Sequence, residues 1–413
     1  MSYIDVFIDV SLIIFLGFIA TYLFERKHIP EPVILVSAGI LIGPILQIIT
    51  PQTFESLLPI LSNLALLVVL FESGLNLNLF EVLKNAWKAV YLSLTYFILS
   101  TISIYYIASY VLHLSSLESL LLGTILGGVS SVATIPIVER LVRSEDIKAI
   151  VSIDAAFSDV FVIIVSLAVL QFITVGTTPS IIDTLHDIVS SFSIGLVVGT
   201  IGGLLWIRVL RSLKHMKYSY MLTLAFLLLI YSLTDIVRGS GAIACLVVGL
   251  MLSNARSLAE MFKVERPFKL RSVVIYFHEE IAFFTRTFFY ISLGALFTME
   301  YLNLAFIIGS LLIMCCMIIG RLIALSPIVR DSYERSRLCF VIPRGLSAAA
   351  LASYILQYNL ADKYLLASLI TAGIVLSNLV SVAVALVRRP EEKGYVKALP
   401  VEKLAETAKV KAK

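Results

Sequence analysis

Charged residues are scarce in this sequence: 15% of its 413 residues are Asp, Glu, Lys or Arg, whereas ordinary soluble domains contain about 25%. Hydrophobic residues make up 59% of the chain, and the mean hydropathy is +0.97. A soluble protein of this length needs far more polar surface to cover its core. The composition therefore excludes a cytoplasmic enzyme, a nucleic-acid-binding domain and a disordered scaffold, and it predicts an all-α polytopic membrane protein.

Cysteine is also sparse, and its distribution argues against a cofactor. The four cysteines, Cys245, Cys315, Cys316 and Cys339, lie in or at the ends of apolar runs and form no CxxC pair. This pattern predicts small buried hydrophobic side chains rather than disulfides or a metal site. The chain also lacks a nucleophile–base pair and a clustered basic face. We therefore expect no enzyme activity, no cofactor and no nucleic-acid partner.

Long apolar runs dominate what is present. A membrane-spanning helix needs about 20 apolar residues, and on that rule thirteen helices are predicted. Their approximate limits are 5–24, 31–49, 59–78, 88–111, 117–138, 149–173, 186–207, 217–236, 240–255, 273–298, 301–326, 337–358 and 364–387. We thus expect a transmembrane domain over residues 1–390 and a polar tail over 391–413.

The basic residues of the loops predict the orientation in the membrane. Loops after odd-numbered helices carry most of them, for example Arg140, Arg143 and Arg208. Loops after even-numbered helices hold only two, Arg238 and Lys363. Because cytoplasmic loops are enriched in Lys and Arg, the N-terminus is predicted to lie outside and the C-terminal tail in the cytoplasm.

A weak internal repeat predicts two inverted halves. The fragment SAGILIGP in predicted helix 2 resembles VVGLMLSN in predicted helix 9, about 210 residues later, and Pro136 and Pro343 are 207 residues apart. Two six-helix repeats around an unpaired helix 7 have opposite orientations in the membrane. Secondary transporters are often built this way, with broken helices at the membrane midplane. We therefore expect helices 5 and 12 to be discontinuous and to cross.

Six charged residues are predicted to lie inside the membrane, where each costs about 3 kcal/mol on insertion scales. Three are acids and three are arginines, which predicts internal pairing. They are Glu72, Asp154, Asp159, Arg286, Arg321 and Arg344.

The two acids of predicted helix 6 are expected to have different partners. Asp154 and Asp159 are five residues apart and so lie about 140° apart around a helix. Asp154 is interpreted as a structural acid paired with an arginine. Asp159 is the candidate reversible ligand, because burial disfavours a charged carboxylate and lets a proton compete with a small hard cation. The alternative is that Asp159 forms a second buried salt bridge.

Predicted helix 5 carries small and polar residues at its centre, including Ser130, Ser131 and Pro136. Proline removes a backbone donor, and irregular backbone at this depth is tolerated where it lines a cavity or is buried in protein. We expect a break at Pro136 whose freed carbonyls and hydroxyls face Asp159. The alternative is a simple proline kink with small-residue packing.

Four intramembrane charges remain: Arg344 and Glu72 have two interpretations each, and Arg286 and Arg321 have one. Arg344, beside Pro343, is expected to compensate the carbonyl dipoles of half-helix C-termini, or else to snorkel to the cytoplasmic interface. Glu72 either helps to bind the ion or is a protonated packing residue. Arg286 and Arg321 are interpreted as salt-bridge partners.

Four motifs carry a resemblance to a known family. They are FESGL (71–75), DAAFSD (154–159), EEIAFFTRTFFYISLGAL (279–296) and PRGLSAAAL (343–351). With them the chain resembles the monovalent cation/proton antiporter superfamily, and within it the archaeal NhaP-type sodium/proton antiporters, over about residues 5–390.

The resemblance implies a fold and a set of roles. The fold would be a homodimer in which helices 1–3 and 8–10 form the dimer domain, helices 4–6 and 11–13 the moving core, and helix 7 a linker. Asp154 matches the family's structural acid, Arg321 its partner, and Asp159 the ion-binding aspartate. The expected ion-binding set, with Na⁺ at Asp159, is Asp159, Ser158, Ala155, Ser130, Ser131 and Glu72.

Three departures from the family pattern bear on the cation. Ser158 stands where the family has Asn, Asp154 is shorter than the family's Glu, and Val129-Ser130-Ser131 replaces Thr-Asp-Pro. The serine pair is similar to the potassium-linked branch of the superfamily. We predict an electroneutral Na⁺/H⁺ antiporter with one titrating carboxylate. The alternatives are K⁺/H⁺ exchange (Li⁺ being a further possible substrate) and, in another class, a cation channel.

Overall fold

The computed structural model describes residues 3–27, 29–47, 58–75, 77, 79–175, 181–212, 219–261 and 272–386, and over these ranges it contains helices and no strand. The helices, labelled here to follow the predicted ones, are α1 (Tyr3–Lys27), α2 (Glu31–Ile40, continued by a π-helical turn at Leu41–Ile45), α3 (Leu58–Leu75), α4 (Leu79–Tyr110), α5a (Ser116–Ile125), α5b (Ser131–Leu141), α6 (Glu145–Val175), α7 (Ile181–Ser212), α8 (Ser219–Ile236), α9 (Gly241–Ser253, followed by a short helix at Ala255–Met261), α10 (Ser272–Ala295), α11 (Leu304–Leu325), α12a (Ser332–Leu338), α12b (Leu346–Ile355) and α13 (Lys363–Leu386).

Every predicted helix has a helical counterpart, and predicted helices 5 and 12 each occur as two pieces. By length and composition, five stretches in the described residues are long and apolar enough to cross a membrane. They are Trp87–Tyr110, Glu145–Leu170, Val189–Ser212, Leu304–Leu325 and Lys363–Leu386. The number of thirteen spans therefore stays a prediction. The predicted tail, 391–413, lies outside the described residues.

Side-chain caps begin several of these helices. Ser115 accepts a hydrogen bond from the backbone N–H of Glu118 at the start of α5a, and Ser240 does the same for Ile243 at the start of α9. Asn303 caps α11 through the N–H of Phe306. Each cap satisfies one of the N–H groups that a helix leaves unpaired at its first turn, so these residues set where the helices start.

The break in helix 5 precedes the proline that was expected to cause it. The chain leaves the helix after Ile125 and resumes it at Ser131, and Pro136 lies inside α5b. The expectation of a break at Pro136 is therefore wrong, and so is the alternative of a simple proline kink. The break falls at Gly127 and Gly128 instead. A Cβ atom on Gly128 would lie 2.9 Å from the carbonyl oxygen of Ser158 on α6, so this residue lets the broken backbone pass close to α6.

The break in helix 12, residues 339–345, crosses the break in helix 5. The backbone N–H of Ser130 donates to the carbonyl oxygen of Pro343 at 2.8 Å. Side chains of α13 form hydrogen bonds with backbone groups of the unwound segment of helix 12. The N–H of Arg344 donates to Ser377 Oγ at 3.2 Å, and Asn378 Nδ2 donates to the carbonyl of Arg344 at 2.8 Å. Buried backbone groups need such partners, so these three bonds stabilise the crossing.

Two pairs of glycines bring helices into backbone contact. A Cβ on Gly39 of α2 would strike the carbonyl of Ile291, and one on Gly294 of α10 would strike the carbonyl of Val36. The pair Gly74 of α3 and Gly249 of α9 is arranged in the same way, against the carbonyls of Leu246 and Phe71. In each pair the carbonyl lies three residues before the partner glycine. Gly39 and Gly249 occupy the same place in the two repeat fragments, so these contacts support the predicted inverted repeat.

The cysteines differ in their exposure. Cys245 and Cys339 are buried, Cys316 is partly buried and Cys315 is exposed, and all four are free thiols. The prediction of small buried hydrophobic residues is thus correct for two of them. Cys315 lies on the outward face of α11, so for this residue it is wrong.

Candidate functional site

The carboxylate of Asp159 lies where the two broken helices resume. The side chain is 2% exposed. Ser131, the first residue of α5b, donates to Asp159 Oδ2 from its backbone N–H at 3.2 Å and from its hydroxyl at 2.9 Å. Ser347, near the start of α12b, donates its hydroxyl to Oδ1 at 2.7 Å. Both oxygens of the carboxylate are therefore held by the N-terminal turns of two different half-helices.

Asp159 faces helix dipoles rather than a basic side chain. The N-terminus of a helix carries about half a positive elementary charge, and those of α5b and α12b both meet this carboxylate. No Lys or Arg nitrogen in the described part of the chain lies within salt-bridge distance of Asp159. Within the described residues Asp159 therefore forms no second buried salt bridge, and that alternative is wrong.

A hydroxyl on α3 extends the network. The Oγ atoms of Ser73 and Ser131 are 2.8 Å apart. A hydroxyl has one hydrogen to donate, and that of Ser131 is directed to Asp159. Ser73 must therefore be the donor, and the hydrogen-bonded series runs from Ser73 through Ser131 to the carboxylate.

Asp154 has the opposite kind of surroundings. Its Oδ2 atom is 2.6 Å from Nη2 of Arg321 on α11, and the two side chains are 0% and 1% exposed. Arg321 lies over the ring of Tyr96 on α4, with Cζ 5.0 Å from the ring centroid. The structure thus pairs Asp154 with Arg321, as the resemblance implies, and adds an aromatic ring in contact with the guanidinium.

Arg344 packs against the same tyrosine. Its Nη2 donates to the hydroxyl of Tyr96 at 2.9 Å, and its Nη1 donates to the carbonyl of Ile342 at 3.2 Å. Arg344 is 1% exposed, so the alternative of snorkelling to the interface is wrong. The contact with an unwound carbonyl of helix 12 fits the expected role in compensating backbone dipoles at the crossing.

Glu72 and Arg286 form a looser pair. Arg286 Nη1 is 3.7 Å from Glu72 Oε1, and the side chains are 21% and 16% exposed. Glu72 directly precedes Ser73, the residue that hydrogen-bonds to Ser131. Arg286 is thus a salt-bridge partner, as expected, and Glu72 lies one residue from the network around Asp159.

Three other predicted residues surround the carboxylate less directly. Ser130 supplies the backbone N–H of the crossing, and its Oγ is held against Gly345. The hydroxyl of Ser158 lies 3.2 Å from that of Ser93 on α4. Ala155 is fully buried one turn before Asp159. The structure therefore brings Ser131 onto Asp159, while Ser130, Ser158 and Ala155 remain predicted ligands.

Sequence reasoning missed three residues of this region: Ser73, Ser347 and Tyr96. Ser73 lies directly beside Glu72 in the motif FESGL, and a hydroxyl beside a charged residue at membrane depth was a usable signal. Ser347 has no charged residue next to it in the sequence. Tyr96 lies among many aromatic residues of an apolar helix and carries no such signal.

The chemistry available here is that of one carboxylate and several hydroxyls. Within the described ranges, no group of three or more His, Cys, Asp or Glu could hold a metal ion. A single buried carboxylate with hydroxyl and backbone oxygens nearby is a donor set for one hard monovalent cation. The same carboxylate can instead carry a proton.

The chain is similar to known monovalent cation/proton antiporters. The family model described as sodium/hydrogen exchanger, transmembrane, matches residues 11–388. The Na⁺/H⁺ antiporter ApNhaP of Aphanothece halophytica is 30% identical over 229 residues, which are 55% of this chain and 42% of that protein. The K⁺/H⁺ antiporter NhaP2 of Shewanella sp. (strain ANA-3) is 30% identical over 201 residues.

These relatives are matched over different shares of their length. The chain spans about a third of the NhaP2 proteins, 34% in the Shewanella sp. ANA-3 protein. Na⁺/H⁺ antiporter 1 of Methanocaldococcus jannaschii is 23% identical over 356 residues, which are 83% of this chain and 81% of that protein.

A solved structure has the same fold. The sodium proton antiporter MjNhaP1 of Methanocaldococcus jannaschii at pH 8 superposes with a TM-score of 0.77, covering 93% of this chain and 96% of that one at 20% identity. At this level of identity the likeness concerns the fold.

Proposed function

This chain belongs to the transmembrane sodium/hydrogen exchanger family, and on that premise we propose that it exchanges one Na⁺ for one H⁺ across the cell membrane at Asp159. The family membership bears out the resemblance expected from the four motifs. It makes the chain a multi-pass membrane protein of a transporter family.

One observation carries the assignment to Asp159. This carboxylate is buried, and its described partners are the hydroxyls of Ser131 and Ser347 and one backbone N–H. Hydroxyls can donate to a carboxylate or accept a cation beside it, whereas a fixed guanidinium excludes a second cation. Asp159 is thus the buried acid that can bind a cation and a proton in turn.

Coupling follows from competition for this one carboxylate. A site that carries Na⁺ or H⁺ is neutral, while the empty site keeps a negative charge that is costly to move through an apolar layer. The loaded core, helices 4–6 and 11–13, therefore changes its access from one side to the other, and the empty core does not. Helices 1–3 and 8–10 serve as the dimer domain and helix 7 as the linker.

Electroneutral exchange is proposed because one carboxylate titrates. Asp154 is held by Arg321 at 2.6 Å, and the neutral Ser158 stands beside Asp159. Two free aspartates at this position would instead favour the movement of net charge. The proposal includes thirteen spans, an external N-terminus, a cytoplasmic tail and a homodimer.

Potassium is the second candidate. The K⁺/H⁺ antiporters among the relatives and the serine-rich lining at Ser130 and Ser131 favour it. Potassium is larger and more easily dehydrated than sodium, so neutral hydroxyl ligands suit it. We rank Na⁺ first because the relative and the solved structure matched over most of this chain are Na⁺/H⁺ antiporters.

The test is exchange in proteoliposomes that contain the full chain. A preset pH gradient should dissipate on addition of Na⁺, and parallel additions of Li⁺ and K⁺ rank the substrates. The matched variant Asp159→Asn should abolish exchange with every cation, because it can neither bind a proton nor neutralise a cation. If Asp159→Asn still dissipates the gradient, the assignment is wrong. Cation current without proton flux would indicate a channel.

A further inference from the structure

The hydroxyl of Ser347 occupies an unusual position for a serine at a helix start. Serines there usually cap their own helix, but the N-cap of α12b is Gly345, and this helix has no side-chain cap. Ser347 is 4% exposed and donates instead across the crossing to Asp159 Oδ1 at 2.7 Å. Its hydrogen-bonding capacity is therefore directed at the carboxylate of another helix.

We propose that Ser347 Oγ is a direct ligand of the transported cation, so that broken helix 12 supplies one oxygen of the site. This inference rests on the proposed function, because it takes Asp159 as the exchanging carboxylate. Ser347 was not among the ion-binding residues expected from the sequence.

The two oxygens of Asp159 define where the cation meets Ser347. Oδ2 receives both the amide and the hydroxyl of Ser131, whereas Oδ1 receives the Ser347 hydroxyl. Oδ1 thus has the fewer donors and the more free lone pairs for a cation. A cation bound at Oδ1 lies next to Ser347 Oγ, because the two oxygens are 2.7 Å apart.

A hydroxyl suits both occupants of the site. It has one hydrogen and two lone pairs, so Ser347 can donate to the charged carboxylate or rotate its hydrogen away and offer a lone pair to a cation. With the cation at Oδ1 beside Ser347 of α12b, and with Ser131 of α5b still bonded to Oδ2, cation binding would join the two half-helices through the Asp159 carboxylate. The carboxylate keeps a partner in each state.

The first experiment compares two serines of α12b. Ser347→Ala should raise the KM for Na⁺ about tenfold, the factor for a loss of about 1.4 kcal/mol, and leave kcat at saturating Na⁺ within about twofold. The control is Ser353→Ala: Ser353 is 0% exposed, and its hydroxyl has no hydrogen-bond partner among the described residues. An unchanged KM in Ser347→Ala overturns the inference.

A ligand exchange keeps the inference testable if the alanine variant is unstable. Ser347→Cys replaces a hard oxygen with a soft sulfur, which favours soft cations. Exchange of Tl⁺, a soft monovalent cation, should then improve severalfold relative to Na⁺. An unchanged Tl⁺/Na⁺ ratio means that the side chain does not touch the ion.

Asp159→Asn distinguishes a failure of the Ser347 inference from a failure of the proposed exchange site. If that variant loses exchange while Ser347→Ala and Ser347→Cys behave as wild type, the proposed function stands and the Ser347 inference fails. If Asp159→Asn retains exchange, the proposed site itself fails.

Discussion

Helix α6 carries two buried aspartates one and a half turns apart, and they have opposite surroundings. Asp154 meets a guanidinium at 2.6 Å, backed by an aromatic ring. Asp159 meets two hydroxyls and an amide at the ends of two half-helices. Both aspartates are almost fully buried, so burial does not distinguish their roles. The difference lies in their partners, a charged guanidinium for Asp154 and neutral hydroxyls for Asp159.

The largest expected effect separates the two acids by stability. Asp154→Ala leaves Arg321 buried without its partner and should lower the free energy of unfolding by about 3–5 kcal/mol. Asp159→Ala removes no partner of a buried cation and should cost clearly less. Chemical unfolding in detergent, followed by tryptophan fluorescence, measures both. Equal losses would mean that the two acids do not differ in the way described.

A double substitution sharpens the same contrast. Apolar replacement of a whole buried ion pair is often neutral or stabilising. Asp154→Leu combined with Arg321→Met should therefore recover most of the roughly 3–5 kcal/mol lost by removing Asp154 alone. Recovery is measured in the same unfolding assay. A double variant as unstable as Asp154→Ala would show that the pair has a role beyond mutual neutralisation.

Tyr96 tests the aromatic side of the charged cluster. Tyr96→Phe keeps the ring that Arg321 and Arg344 both approach but removes the hydroxyl that accepts from Arg344 at 2.9 Å. Hydrogen bonds to charged groups contribute about 1.5–3 kcal/mol, so a thermal-shift assay should show a clear loss. The control is Tyr106→Phe on the same helix, where the side chain is 53% exposed. Equal behaviour of both variants would contradict the bond.

The smallest effect concerns the hydroxyl network at Asp159. Ser73→Ala removes the donor to Ser131 and should cost about 0.6 kcal/mol, the average for such bonds in membrane proteins. Ser62→Ala is the matched control, because Ser62 lies on the same helix, is fully buried, and its hydroxyl has no hydrogen-bond partner in the part of the chain that the structure describes. A difference between the two variants in the unfolding assay measures this bond; no difference would remove Ser73 from the network.

The sequence predicted those features that depend on a position along one helix. Asp154 and Asp159 could be assigned different partners because their angular separation is set by helix geometry. The charge balance of the apolar segments correctly indicated that Arg321 and Arg286 pair with acids. A charge at membrane depth is rare and costly, so each one stands out in a single sequence.

Features that depend on the approach of distant helices could not be predicted in the same way. The break in helix 5 was expected at Pro136, but Pro136 lies within α5b. The break lies at Gly127 and Gly128, where the backbone passes close to α6, and the position of the proline did not indicate this. Ser347 and Tyr96 were missed because hydroxyls and aromatic rings are common in membrane helices and acquire a role only through a neighbour.

The hydrogen bond between Ser130 N–H and Pro343 O has a consequence for how this protein can diverge. Both partners are backbone atoms, so any residue except proline at position 130 can supply the donor, and any residue at 343 can supply the acceptor. A change of side chain at either of these two positions therefore leaves this one bond possible. By the resemblance to the antiporter family, Val129-Ser130-Ser131 stands where the family has Thr-Asp-Pro. A change of this kind would alter the oxygens beside Asp159 and keep the backbone bond that joins the two breaks.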